Sequence, residues 1–210
     1  MLIYVDATIV TGPNLTHIQR LISYLIQDFA LKDMGDLHYF LEVEVLRTAG
    51  VLHLSQSKYI FDLLKRASMT DCKLLPTLAD GSQYWSVVGA SQYCTLTRLD
   101  IAFSVNKACQ YMHSPTEYHL LVVNRILRYL AGTITHGLLY NSSPDLSVTC
   151  FTDAEWASCP NDHHSTSAFC IFLGMNIVSW SSYKQKIVSR SSIESNYRIL
   201  ANGTAELLSL

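Results

Sequence analysis

The sequence predicts a mixed α+β and α/β chain built as two modules. Three observations carry that reading. Apolar residues recur at helical spacing in several stretches between residues 15 and 132. From His136 onward the pattern changes to short β-rich runs. Between the two, Asn141–Ser142–Ser143–Pro144–Asp145 has linker composition, so the modules are expected at 1–140 and 145–210.

The elements follow in order. Leu2 to Val10 is mostly β-branched or apolar, which suits a strand or hairpin interrupted at Asp6–Ala7. Gly12–Pro13–Asn14 is turn chemistry with Asn14 as N-cap. Leu15, Ile18, Leu21, Ile22, Leu25, Ile26 and Phe29 then describe an amphipathic helix. Lys32–Asp33–Met34–Gly35–Asp36 breaks it. A strand is expected from Leu37 to Arg47, returning after Ala49–Gly50 as Val51–Leu54. Ser55 is expected to cap a second helix that turns Tyr59, Ile60, Leu63 and Leu64 inward. Asp71–Ser82 reads as a loop.

Further helices are expected over Tyr84–Leu96 and Ile101–Met112. Another starts at Ser114–Pro115–Thr116–Glu117, with Pro115 at its first position. Leu120, Leu121, Val123, Ile126, Leu127 and Leu130 line it, and it ends at Gly132. The β runs are Gly137–Tyr140, Leu146–Asp153, Ser167–Leu173 and Asn176–Ser182, with Gly174 as a turn.

Composition bounds the function. Hydrophobic residues are 49% and charged residues 15%, enough for a core and against disorder. No apolar run reaches the ~18 residues of a membrane span, and no signal-peptide pattern opens the chain, so an intracellular, non-secreted protein is expected. The six cysteines show no framework spacing and read as free thiols. The net charge of −2 argues against a broad phosphate-gripping surface.

Several segments carry a resemblance: Tyr4–Val5–Asp6, Asp33–Met34–Gly35–Asp36–Leu37–His38–Tyr39–Phe40–Leu41, Leu54–Ser55–Gln56–Ser57–Lys58–Tyr59 and Leu96–Thr97–Arg98–Leu99–Asp100–Ile101. Arg125–Thr133, Phe151–Thr152–Asp153–Ala154–Glu155–Trp156–Ala157, Val188–Ser189–Arg190–Ser191–Ser192 and Ala205–Glu206–Leu207 continue it. Their order resembles the Pol polyprotein of copia-type retrotransposons. The resemblance implies a reverse-transcriptase palm remnant and helical thumb or connection over 1–140. A truncated ribonuclease H-like three-stranded sheet plus helix would follow over 145–210. It also implies an ancestral RNA-directed DNA polymerase and RNA·DNA hybrid ribonuclease, using Mg²⁺. The partners would be hybrid or DNA, and the Pol segments missing from this chain or another protein.

Both chemistries need clustered carboxylates, because two Mg²⁺ ions about 3.5–4 Å apart must clamp the attacking and leaving oxygens. By resemblance Asp6 is the first acid of the polymerase Tyr-Val-Asp-Asp loop, and Ala7 occupies the place of the second. Asp153 matches the first ribonuclease H acid. Asn196 occupies the helix-acid position beside Tyr197, and an amide is a weaker metal ligand. Glu194 matches another family acid, but Ser191 and Glu194 also have capping-box spacing. The remaining acids would lie outside the chain. The expectation is a catalytically inactive remnant retaining Asp6, Asp153 and Glu194, with Asp6 and Asp153 as the residual metal ligands. The alternative is a non-catalytic nucleic-acid-binding or protein-interaction module.

Other departures from the family pattern are Glu42 for Gly, Leu99 for Pro, Trp85 for Arg, Ala168 for Gly, and His163–His164 for Arg-Arg. Cys159, His163, His164 and Cys170 have the residue types of a zinc site. Against it, Cys170 falls in an apolar strand run. Tyr24, Tyr39–Phe40, Tyr59 and Phe61 follow element periodicity and read as core.

Overall fold

Leu2–Tyr4 (β1) and Ala7–Ile9 (β2) pair antiparallel, with Leu2 opposite Ile9 and Tyr4 opposite Ala7. The computed structural model describes residues 2–4, 7–67 and 81–210. Asp6 and nearly all of the expected Asp71–Ser82 loop lie outside the described residues. Leu15–Asp28 (α1) forms as its spacing predicts. Asn14 caps it, its Oδ1 accepting from the backbone N–H groups of Thr16 (3.0 Å) and His17 (3.3 Å). The helix buries none of its residues, and Leu15, Tyr24 and Phe29 are exposed.

The strand expected from Leu37 to Arg47 is in fact two strands, Tyr39–Phe40 (β3) and Val43–Thr48 (β4). Leu41 (φ 48°) and Glu42 (φ 60°) make a two-residue turn between them. Both central residues of such a turn need positive φ, which L side chains resist. Val51–Ser55 (β5) returns along β4 across Ala49–Gly50, where Gly50 has φ 79°.

Ser57–Arg66 (α2), Gly81–Cys94 (α3), Ala102–Cys109 (α4) and Glu117–Gly132 (α5) bury one shared core. Ile60, Leu63 and Leu64 meet Tyr84, Val88, Val105, Leu127 and Leu130 there. At about 1.5–3 kcal/mol per buried aliphatic side chain, this core is the main store of stability. Three sequence expectations shift. Gln56, not Ser55, is the N-cap of α2, and its first turn is satisfied from outside: Glu44 Oε1 accepts from the Lys58 N–H at 2.8 Å. Pro115 precedes the cap of α5, which is Thr116. Leu121 points to solvent. His119 Nδ1 accepts from the Thr116 N–H at 3.0 Å while its ring stacks on Tyr111 at 3.9 Å. Burial pushes the His119 pKa down, which suits a ring that must stay neutral to accept.

Gly137–Asn141 (β6) comes back to pair with β5, completing the sheet order β3-β4-β5-β6. A side chain at Gly137 would place its Cβ 2.1 Å from the Leu54 carbonyl oxygen, so only glycine fits. Val148–Glu155 (β7), Thr166–Leu173 (β8) and Asn176–Lys184 (β9) form a second antiparallel sheet. Ser192–Ser209 (α6) lies on it, packing Ile199 against Phe169 and Ile171. Gly203 permits that approach, since a Cβ there would come 2.7 Å from Thr152 Cγ2. The described chain is thus a mixed fold of six α-helices with antiparallel sheets.

A short segment between α3 and α4 knots the elements together. Arg98, 1% exposed, forks onto Asp100 through Nε (3.0 Å) and Nη2 (2.7 Å). Its Nη1 donates to the Thr133 carbonyl (2.8 Å) and Nη2 to Thr133 Oγ1 (2.7 Å), at the end of α5. Tyr129 lies under the guanidinium, 5.4 Å away. Burial opposes the Asp100 charge, yet the bonds from Arg98 and Tyr129 hold its carboxyl below the usual range. Thr97 Oγ1 donates to the buried Gln56 Oε1 at 2.9 Å, reaching α2. Trp180 of β9 donates to the Thr95 carbonyl at 3.1 Å, reaching the second sheet. The β6 and β9 ends are clasped by Asn141 and Asn176, whose two hydrogen bonds measure 2.7 and 2.8 Å.

Two outcomes are expected. Arg98→Ala should lower unfolding stability by about 3 kcal/mol in urea denaturation, because it strands the Asp100 carboxylate and the Thr133 groups. Arg98→Lys should recover under half of that, because one ammonium cannot reproduce the fork. A loss under ~1 kcal/mol for Arg98→Ala would contradict the role given to the knot. Glu42→Gly should raise stability by about 1 kcal/mol by relieving the positive φ, even though it removes the Tyr39 hydroxyl's bond to Glu42.

Candidate functional site

The candidate acids sit on different elements, and the backbone decides where each one points. Ala7 opens β2 opposite Tyr4. Asp153 is exposed near the end of β7. Successive strand residues face opposite sides. Thr152 and Cys150 touch Gly203 of α6, and Ala154 packs on the Ile199 cluster. Asp153 therefore projects from the other face, in register with Ala168 and, across β8, Ser182. The sheet stands between its carboxylate and the helix that carries Glu194 and Asn196.

Glu194 is committed elsewhere. Its Oε2 accepts from the Arg190 N–H at 2.8 Å, while Ser191 Oγ accepts from the Glu194 N–H at 3.1 Å. The Ser191 bond is the N-cap of α6, and Glu194 reaches one residue further back, to the N–H just ahead of the cap. Arg198, one turn later, donates to Glu194 Oε1 at 2.7 Å. The hydrogen bonds from Arg198, then Arg190, hold the Glu194 carboxyl below its ordinary range. Asn196 is exposed, and its Nδ2 donates back to the Ser192 carbonyl at 3.1 Å. Among the described residues no three His, Cys, Asp or Glu side chains converge as metal ligands do. One exposed carboxylate, one carboxylate engaged in a cap and one amide do not match the donor set a Mg²⁺ pair requires.

The remaining motif residues hold the fold. Gln185, 6% exposed, donates from Nε2 to Ser167 Oγ (2.8 Å) and to the Ser195 carbonyl (3.0 Å), and accepts from Ser189 Oγ (2.9 Å). Trp156 donates to the Ser189 carbonyl at 2.9 Å. This second knot was not read from the sequence; its signal was the polar run at Val188–Ser192. The zinc combination does not assemble. Cys159 is buried in the β7–β8 connection and accepts from Lys184 Nζ at 3.4 Å. His164 Nδ1 is 2.7 Å from the Gln185 carbonyl oxygen, and Cys170 lies within β8. Among the described residues, no helix is long and apolar enough to cross a membrane.

Comparison with known proteins finds similarity along most of the chain. Residues 1–79 match the family model described as reverse transcriptase (RNA-dependent DNA polymerase). An uncharacterized mitochondrial protein of Arabidopsis thaliana is 43% identical over 99% of this chain and 92% of its own length. The retrovirus-related Pol polyprotein from transposon RE1 of Arabidopsis thaliana is 42% identical over 99% of this chain, which spans 15% of that polyprotein. The Pol polyprotein from transposon TNT 1-94 of Nicotiana tabacum is 30% identical over 94% of this chain and 17% of its own length. No solved structure matches.

The cap assignment is checked by folding measurements. Ser191→Ala should destabilise by about 1 kcal/mol through loss of the N-cap. Glu194→Gln should also destabilise, whereas Asp153→Ala should leave stability unchanged. Because the folded-state Glu194 pKa is depressed, its contribution is present above the ordinary glutamate pKa and is lost as pH falls through the lower folded value. Glu194→Gln should flatten that acid limb. An unchanged limb would assign the carboxylate another role.

Proposed function

The chain belongs to the Pol polyproteins of copia-type retrotransposons, and we infer that it is a Pol fragment without the nuclease and polymerase activities of its ancestor. On this reading residues 1–140 derive from the carboxy-terminal part of reverse transcriptase, with palm, thumb and connection pieces. Residues 145–210 are the opening of a ribonuclease H-like domain: three antiparallel strands and then a helix, in the order β7, β8, β9, α6. The ancestral chemistry is RNA-directed DNA synthesis and hydrolysis of RNA in hybrids, with Mg²⁺ as the metal.

The observation that carries the inactive reading is the state of the acids around α6. Asn196 supplies an amide, Glu194 closes the helix start, and Asp153 faces away from both. At the other anchor Ala7 stands beside Asp6. A single uncoupled carboxylate cannot hold two metal ions, so the attacking water and the leaving oxygen have no clamp. The unburied apolar side of α1 favours a second reading, in which the chain associates with another Pol segment or a protein through that helix.

The test uses an end-labelled RNA·DNA hybrid with Mg²⁺. The chain should release no more product than its Asp153→Ala variant over many hours. Metal-dependent cleavage that disappears in Asp153→Ala would overturn the inactive reading and make Asp153 a working ligand.

A further inference from the structure

Cys159 lies in the connection from β7 to β8, 7% exposed, beneath a turn whose residues 160–163 are at the surface. The turn closes on itself. The His163 N–H donates to the Cys159 carbonyl at 2.8 Å, and the Cys159 N–H donates to the His164 carbonyl at 3.1 Å. Lys184, the last residue of β9, brings its Nζ to 3.4 Å from the Cys159 sulfur. The same Nζ is paired with Asp162 on that turn. Sulfur, ammonium and carboxylate thus meet, although Cys159 and Lys184 are 25 residues apart in sequence.

This contact sets Cys159 apart from the other described cysteines. Burial pushes the Cys94 thiol up to about 12 and pushes Cys109 and Cys170 up as well, which keeps them as unreactive thiols. Cys150 lies against α6, its sulfur 4.0 Å from the Gly203 carbonyl oxygen. Among the described cysteines, Cys159 is the one with a primary amine within hydrogen-bonding reach. A cysteine beside a cation is a favoured target of peroxide, and the sulfenic acid so formed condenses with a neighbouring nucleophile.

We propose that Cys159 and Lys184 are a redox-sensitive pair that hydrogen peroxide joins through a reversible sulfur–nitrogen bond. In the first step the Cys159 sulfur takes one oxygen from the peroxide. The O–O bond breaks, the sulfur is oxidised to sulfenic acid, and the peroxide is reduced to water. In the second step the Lys184 amine, its ammonium proton given up to solvent, attacks that sulfur. The S–N bond forms, the S–O bond breaks, and the hydroxyl leaves as water with one amine hydrogen. A thiol reductant reverses the link: it frees the amine and forms a mixed disulfide, and a second thiol then restores Cys159. Asp162 sets the pace of the second step. Burial works against the Lys184 charge, but the bonds to Asp162 and Cys159 outweigh it and push the pKa up. A neutral sulfenic acid removes the hold of the sulfur, while that of Asp162 remains. The bond ties the β7–β8 connection to the residue beside Gln185, and so staples the buried network that seats α6.

The full chain, first reduced and desalted, is treated with hydrogen peroxide and followed by intact mass and peptide mapping. The expected product has lost two hydrogens, retains no oxygen, and yields a peptide in which Cys159 is joined to Lys184. Dithiothreitol should restore the starting mass. Lys184→Arg keeps the cation but removes the amine, so oxidation should stop at a sulfenic acid that dimedone captures on Cys159. Asp162→Asn keeps the Oδ1 that accepts from the His164 N–H at 3.2 Å, and should form the link about fivefold faster. The linked chain should unfold at a higher urea concentration than the reduced chain, because the bond closes a loop. Dimedone capture of Cys159 in the unsubstituted chain with no link would overturn the proposal. So would a mass loss that maps to a disulfide between cysteines, or a Cys159 that stays reduced while other cysteines are oxidised.

Discussion

The buried guanidinium of Arg98 sets terms that the rest of the chain has to meet. Its five donors cannot be left bare in a core, and its charge cannot be left unpaired. Asp100 answers the charge, and Thr133 answers two of the donors. Those partners fix the start of α4 against the end of α5, 35 residues later in sequence. The flanking residues extend the same constraint, Thr97 to Gln56 ahead of α2 and Thr95 to Trp180 on β9. A segment of six residues therefore ties the helical core to both of its neighbouring layers. Apolar burial supplies most of the stability, but it is non-directional. The polar knot specifies which packing is adopted.

The second sheet repeats this division of labour. Its apolar contact with α6 is small, with Phe169, Ile171 and Ile199 at its centre. Gly203 brings the helix close enough to β7 for that contact to form. Gln185 then fixes the approach, joining Ser167 of β8, Ser189 of the loop and the first turn of α6 in one buried network. Networks of this kind are satisfied throughout or are worse than an apolar core. That explains why three serines, unpromising as core by composition, are buried: Ser167, Ser189 and Ser195.

Much of the fold was legible where short-range physics decides it. Apolar spacing located α1, α2 and α5, and Asn14 and Ser191 cap as their positions suggested. The misses arise where distant groups intervene. Ser55 lost the cap of α2 because Glu44, on a neighbouring strand, reaches the Lys58 N–H. The β3–β4 turn was invisible because Leu41–Glu42 lacks the Asn-Gly chemistry such turns favour; Glu42 adopts a backbone that glycine adopts freely. Pairing of β6 with β5 spans more than 80 residues, and no local pattern announces it. For the site, the sequence left Glu194 open between acid and cap, and only the bonds to Arg190 and Arg198 settle what its oxygens touch. The orientation of Asp153 was illegible because β7 turns the polar Thr152 inward and the aromatic Phe151 outward, against the usual alternation.

The fold needs some of the chain's polar residues and glycines and leaves others free. Arg98, Gln185, Gly137 and Gly203 are each needed by packing or hydrogen bonding inside the chain. Asp153 and Asn196 are exposed, and neither supports a neighbouring element beyond the Asn196 bond to its own helix. A substitution at an exposed position without structural partners typically changes stability by under ~0.5 kcal/mol, whereas one at a buried network costs several times more. Change at Asp153 or Asn196 is therefore nearly free for the fold, while change at the knots is not. Selection for folding alone is expected to keep Arg98 and Gln185 while leaving Asp153 and Asn196 free to vary.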